Sequence, residues 1–306
     1  MSALPHLDAA AIRAFGFPAA TEALDRALRD GFDPAGDLAR TGTPFGDGDL
    51  LLMPSASSDR TGLKVITITP DNPSRGLPRI QGVYVLFDRA TGAPVLVADG
   101  AEVTNLRTPA VSMVVVRRWL PDRPIRAVVI GAGPQARAHA EALRAIAADR
   151  IADLTMVART APDASDPWCA AHGVRPETIT TLPRLLAEAD LVLCATTASE
   201  PLFDSAPVRA GALVVAVGSH TPDARELDSA LLGRAQVVVE DVATALREAG
   251  DVVLAIADGA VRTEDLVPVA EVVTGRTPLA SDLPIVYKTT GMSWEDLVIV
   301  SAIDRA

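Results

Sequence analysis

Three features of the sequence predict an α/β protein built from two unlike halves. Strand-like segments follow one another without helices between them from Asp49 to Gly100, as in an antiparallel sheet. From Arg126 onward, short apolar runs alternate with helical ones, the pattern of a parallel sheet covered on both faces. Between the first of those runs and its helix lies VIGAGPQA, residues 129–136, a glycine turn in strand–turn–helix context. The expected fold is a Rossmann-type parallel sheet domain preceded by an N-terminal α+β domain with a largely antiparallel sheet.

Asp8 is placed to cap a short helix that runs through Phe15. Pro18 opens a second helix, PAATEALDRALRD, which Gly31 closes; Pro inside the start and Gly past the end are helix punctuation. DLLLMPS, LKVITIT, GVYVLFD and PVLVADG read as strands, with DRATGAP as a hairpin connection between the last two. NLRTPAVSMVVVRRWL, residues 105–120, reads as a helix despite its β-branched residues, and PDRP at 121–124 reads as a boundary. One domain, for substrate binding and dimerisation, is therefore expected over residues 1–120, completed by the C-terminal helix 293–306, and a second over 121–292. In the second, RAVVI, LTMVART, LVLCATT, GALVVAVGS and AQVVVED read as strands, with helices after the glycine turn and in LPRLLAEAD. SWEDLVIVSAIDRA, residues 293–306, reads as an amphipathic helix capped by Ser293.

The 306 residues are 49% hydrophobic, enough for a large core, and carry a formal net charge of −11. That balance argues against nucleic acid or an anionic membrane surface as the main partner, since both need a basic face. The two cysteines, Cys169 and Cys194, make no disulfide framework, and Cys194 reads as a core residue of its strand. The N-terminal stretch lacks the basic start and apolar run of a signal peptide. No segment reaches the ~18 apolar residues of a membrane span. A cytoplasmic location is expected, and no metal site.

Of the 28 basic residues only Lys64 and Lys288 are lysines; the rest are arginine. Arginine stays protonated in proteins, whereas a buried lysine changes its pKa readily. A site that needs a movable proton can use Lys64 and cannot use arginine.

The turn matches G-x-G-x-x-A at Gly131, Gly133 and Ala136. Gly131 permits the tight turn, Gly133 lets the backbone approach a pyrophosphate, and Ala136 lets helix and strand pack closely, with the helix N-terminus favouring the phosphates. The second strand ends in VART, without the Asp or Glu that binds the ribose 2′-hydroxyl of NAD; Arg159 there suits a 2′-phosphate. NADPH is the expected cofactor, with NADH as the alternative.

Several blocks in order then resemble the ornithine cyclodeaminase/μ-crystallin family: GLP with QG before a strand, DG…T…LRT, G-x-G-x-Q-A, ATT, RELD and a closing K-T-T-G…WED. The resemblance covers nearly the whole chain. It implies a subunit that pairs with a second copy through its N-terminal sheet, GVYVLFD being a candidate interface strand. It also implies hydride transfer between a nicotinamide and the α-carbon of a small amino or imino acid. Motif by motif, it assigns Arg40, Lys64 and Arg107 to the substrate carboxylate. It assigns Thr108, Gln135, Thr160 and Thr196 to the cofactor, beside the residues already named. The residues suit those roles: an arginine fork holds a carboxylate bidentately, and a lysine can anchor it and relay a proton. Lys288 falls in a family block near the cofactor without a role.

Cyclodeaminases of the family carry a catalytic Asp shortly after the glycine of AVGSHTPDARELD, and here that position is His220. Imidazole is a poor partner for a substrate ammonium, and TPDARELD resembles the segment of the ketimine reductases. His220 is either a proton donor to the imine nitrogen or a loop histidine near a helix start capped by Ser219 or Thr221. Asp223 reads as a complement to that helix's dipole. The resemblance thus implies reduction of small cyclic ketimine carboxylates, Δ1-pyrroline-2-carboxylate and Δ1-piperideine-2-carboxylate, to proline and pipecolate. The alternatives are an ornithine or lysine cyclodeaminase, an alanine dehydrogenase-like oxidoreductase, or a binder that keeps the cofactor fold without turnover.

Overall fold

The computed structural model describes residues 4–306, which divide into two compact units. One comprises the chain up to Val111 together with Met292–Ala306; the other is Ser112–Gly291.

The first unit opens with β1 (His6–Leu7), α1 (Ala9–Phe15) and α2 (Phe17–Arg29). Asp8 caps α1, accepting the Ala11 N–H at 2.9 Å. There follow β2 (Thr41–Phe45), β3 (Gly48–Ala56), β4 (Arg60–Ile68), β5 (Ile80–Asp88), β6 (Pro94–Asp99) and α3 (Gly100–Trp119). Among the described residues these strands form one sheet of order β1-β6-β5-β4-β3-β2, antiparallel except for the β1–β6 pair. β1 and β2 lie outside the expected strands. β2 (TGTPF) is exposed along its length, so it has no apolar alternation to reveal it, and its pairing comes from β3. Helix α3 begins five residues before the expected start. Asp99 accepts the Glu102 N–H at 2.9 Å and stops β6 there, so the helix starts earlier and Pro109 lies in its interior.

The second unit holds β7 (Ile125–Ile130), α4 (Pro134–Ala147), β8 (Ile151–Ala158), α5 (Pro167–His172), β9 (Arg175–Thr178) and α6 (Leu182–Glu188). It continues through β10 (Leu191–Cys194), β11 (Leu213–Ala216), α7 (Ser229–Leu232), β12 (Gln236–Val239), α8 (Val242–Glu248) and α9 (Gly250–Ala257). β13 (Val267–Pro268), α10 (Val269–Val273) and β14 (Ile285–Lys288) complete it. Among the described residues its sheet has the order β13-β12-β14-β11-β10-β7-β8-β9, parallel throughout. Val128, Val192, Val214 and Val286 from four neighbouring strands share its core, and Cys194 is buried with them. Asp223 starts no helix: the next one is α7, capped by Asp228, which accepts the Leu231 N–H at 2.8 Å.

The chain then returns to the first unit as α11 (Ser293–Asp304). Its cap position is Met292, not Ser293, and the Glu295 carboxylate reaches back to accept the Met292 N–H at 3.1 Å. The helix is not amphipathic. Trp294, Leu297, Ile299 and Val300 are buried, and so are Glu295, Asp296 and Ser301, because it packs on several sides at once.

Candidate active site

Along β4 the side chains alternate between two faces, and the alternation is inverted with respect to polarity. Gly62, Lys64 and Ile66 are on the buried face, while Leu63 and Val65 take the more open one. The register aligns Met53, Lys64, Tyr84 and Ala98 as one row across β3, β4, β5 and β6, all buried. Moving β4 by one residue would put Lys64 outside and bury Leu63 and Val65, so the ladder holds a charge where hydrophobicity alone would not place it.

Lys64 Nζ lies 2.7 Å from Asp296 Oδ2, donates to Oδ1 at 2.9 Å, and donates to Thr104 Oγ1 at 3.2 Å. Thr104 in turn donates to the Gly100 carbonyl at 2.9 Å. Arg107, one turn further along α3, donates from Nη1 to Glu295 Oε2 at 2.9 Å, and its Nε lies 3.5 Å from Asp296 Oδ1. Two cations and two carboxylates thus meet with Lys64, Glu295 and Asp296 fully buried and Arg107 only 6% exposed. Burial pushes the Lys64 ammonium down to about 8; Asp296 pulls it up, and Arg107 pushes it further down. A lysine so placed is charged at neutral pH yet close to giving up its proton. Arg40 is half-buried just before β2. The pairing of β2 with β3 begins next to it, with Thr41 opposite Leu52. Thr108 is buried on α3 beside Arg107.

The remaining expected site residues follow the C-terminal ends of parallel strands, where open α/β sheets bind ligands. Gly131, after β7, has φ +122°, and a Cβ there would come within 2.4 Å of the Ala195 carbonyl oxygen, so only glycine fits. Its N–H is donated to the Val157 carbonyl at 2.8 Å. Gly133 caps α4 with Pro134 in the first turn, and a Cβ on it would meet nothing within 4 Å. That open space, at a helix start with outward N–H groups, fits a pyrophosphate. Gln135 and the buried Ala136 sit in the first turn of α4. Arg159 and Thr160 are exposed just past β8; Arg159 makes no ion pair among the described residues, and no carboxylate ends the strand. Thr196 lies past β10 and His220, exposed, past β11. These residues fit a dinucleotide with a 2′-phosphate.

The WED motif contributes Glu295 and Asp296, to which sequence reasoning gave no task; their only signal was two adjacent acids in an otherwise apolar helix. Glu226 and Asp251 were also missed. Glu226 is fully buried, and burial pushes its carboxyl above the usual range while Lys288 pulls it down. Lys288 pairs with Asp251 at 2.9 Å, both side chains buried.

The parallel sheet with its glycine turn defines a dinucleotide-binding protein of the Rossmann type, joined to a unit with a buried lysine–arginine–carboxylate cluster. The chain belongs to the ornithine cyclodeaminase/mu-crystallin family, whose model matches residues 18–305. It is 33% identical over 304 residues to a Δ1-pyrroline-2-carboxylate/Δ1-piperideine-2-carboxylate reductase of Azospirillum brasilense, covering 97% of this chain and 94% of that protein. It is 32% identical to the ketimine reductase mu-crystallin of Rattus norvegicus, over 84% of this chain and 80% of that one. The structure of Thermococcus litoralis Δ1-pyrroline-2-carboxylate reductase, in complex with NADH and L-proline, superposes with a TM-score of 0.89 at 25% identity. That match covers 99% of this chain and 97% of that one.

Proposed function

We propose that the protein is an NAD(P)H-dependent ketimine reductase, with NADPH preferred, that converts Δ1-pyrroline-2-carboxylate and Δ1-piperideine-2-carboxylate to proline and pipecolate. The observation that carries this reading is the Lys64–Asp296 pair: a fully buried ammonium, poised near neutrality, beside Arg107. The activities of the relatives support it.

Arg107 binds the substrate carboxylate by charge-assisted hydrogen bonds, and Arg40 is the second fork. Lys64 anchors the same carboxylate or gives its proton to the imine nitrogen, with Asp296 holding the ammonium in place between turnovers. The cluster is formally neutral, so an incoming carboxylate meets no net repulsion. A nicotinamide cofactor, its pyrophosphate at the glycine turn, would supply a hydride to the C=N carbon. Gly133 and Gln135 would hold the pyrophosphate, on the tight turn that Gly131 permits and the close helix–strand packing that Ala136 permits; Arg159 and Thr160 would hold the 2′-phosphate, and Thr108 and Thr196 would complete the cofactor contacts. His220 is the second proton-handling group. An imidazole where a cyclodeaminase needs a carboxylate favours reduction over ammonia release.

The protein acts as a homodimer through the open face of its antiparallel sheet. Leu52, Val65 and Val83 form one cross-strand row on that face, and Pro54, Leu63, Val85 and Val97 the next. Leu52 and Val83 are 38% and 44% exposed, an apolar surface that a second copy would cover. No helix among the described residues is long and apolar enough to cross a membrane, and we assign the enzyme to the cytoplasm.

Absorbance at 340 nm tests the reading. With NADPH and Δ1-pyrroline-2-carboxylate, rapid loss of absorbance and formation of proline are expected, with no ammonia from ornithine and NAD+. Ammonia and proline from ornithine would replace the reductase with a cyclodeaminase. Cofactor binding without turnover of any imine would leave a binding protein.

A further inference from the structure

The second unit holds a buried polar network outside the glycine turn. Glu226 is its hub. Oε1 accepts both the backbone N–H and the hydroxyl of Thr196, each at 2.8 Å, and Oε2 accepts the Gly218 N–H at 2.7 Å. One carboxylate therefore ties the segment after β10 to the segment after β11. The two backbones touch: a Cβ on Gly218 would lie 2.1 Å from the Thr196 carbonyl oxygen and 2.6 Å from Glu226 Oε1. Glu226 is itself held from behind. Asp251 Oδ1 accepts the N–H groups of Glu226 and Leu227, both at 2.8 Å. Lys288, at the end of β14, lies 2.9 Å from Asp251 Oδ2 and donates to the Ser219 carbonyl at 2.6 Å, next to His220.

We infer that Glu226 is a positioning residue for cofactor binding: through Thr196 and Gly218 it presets the two segments that carry Thr196 and His220. Lys288 and Asp251 lock it in register. The inference rests on the reductase reading. All three donors need an acceptor, so an ionised carboxylate satisfies them and an amide does not: the NH2 of a glutamine would face one of them donor to donor. An orphaned buried N–H weakens what depends on it by roughly five- to 150-fold. The substrate-carboxylate group, Lys64 and Arg107, belongs to the other unit.

The test is Glu226→Gln, read by fluorescence titration of NADPH, by steady-state kinetics and by thermal unfolding. The expected result is an NADPH Kd raised roughly five-fold or more and a lowered kcat, with the KM for Δ1-pyrroline-2-carboxylate unchanged within about two-fold. A purely structural role would lower Tm and leave Kd and kcat per folded molecule as they were, which overturns the inference. Hydrogen exchange on the unaltered protein supplies a second arm if the variant does not fold. Peptides covering 195–199 and 217–221 should be protected before NADPH is added; fast exchange there without cofactor overturns the preset arrangement. If the unaltered protein binds neither NADPH nor NADH, the reductase reading falls and this inference with it. If it binds and the variant matches it, the inference alone falls.

Discussion

Replacing Asp296 by Asn removes the charge beside Lys64 and keeps the shape. Two unit charges about 3 Å apart at an effective dielectric of about 20 attract by roughly 5–6 kcal/mol, and deleting one partner of a buried pair costs about 3–5 kcal/mol. At about 1.36 kcal/mol per pKa unit, that is two to four units. Lys64, about 8 in the intact site, would drop to about 4–6. Its charged fraction at pH 7 would fall from about nine-tenths to about a tenth or less. Thr104, Arg107 and Glu295 still surround it, and Arg107 pushes in the same direction. If the ammonium is the working form, kcat/KM of Asp296→Asn at pH 7 falls about tenfold or more. The activity should then return on acidification, and the alkaline limb of the pH profile should move from near 8 to below 7. The assay is the 340 nm rate from pH 5 to 9 at constant ionic strength, with both enzymes on the same substrate so that the imine's own titration cancels. A variant whose alkaline limb coincides with the parent's refutes the coupling of Asp296 to the Lys64 proton.

Arg159→Ala should raise the KM for NADPH on the order of tenfold while leaving NADH unchanged, so the ratio of the two kcat/KM values is the measurement. His139 is buried on α4 between Gln135 O at 2.7 Å and Ser112 Oγ at 3.0 Å, and burial lowers its pKa to about 4. Unfolded, it titrates near ~6.5, so the unfolded chain binds the extra proton between those values. Stability is full above about pH 6.5 and is lost as pH falls through about 4, by roughly 3 kcal/mol. His139→Gln should flatten the slope of Tm against pH in that window. Val83→Glu places a charge on the open sheet face; light scattering should report a dimer for the unaltered protein and a monomer for the variant.

Local chemistry was legible where a few adjacent residues decide the outcome. Asp8 capped its helix, the glycine turn stood between strand and helix, and Cys194 was buried in its strand. Boundaries failed where a competing cap was overlooked: Asp99 moves the start of α3, and Glu295 reaching back to Met292 moves that of α11. β2 and β14 were missed because neither carries a period of its own; one is wholly exposed and the other wholly buried. Lys64 stood out by its rarity, yet its partner is 232 positions away, and no local pattern announces a contact at that distance. Glu226 and Asp251 were hidden for the same reason: a buried acid in sequence looks like any other until its donors are located.

The return of α11 to the first unit has a consequence for how the molecule is made. Lys64 and Arg107 leave the ribosome long before Glu295 and Asp296, with the whole second unit translated in between. At about 5–20 residues per second the wait is about 10–50 s. During it the antiparallel sheet has nothing to neutralise the two cations it is built to enclose, and closing so long a loop carries its own entropic penalty. The helix α11, translated after the whole second unit, completes the charge balance of the first unit. Shortening the chain by that one helix would cost far more than its dozen residues of packing, because it would strand Lys64 in a dry interior.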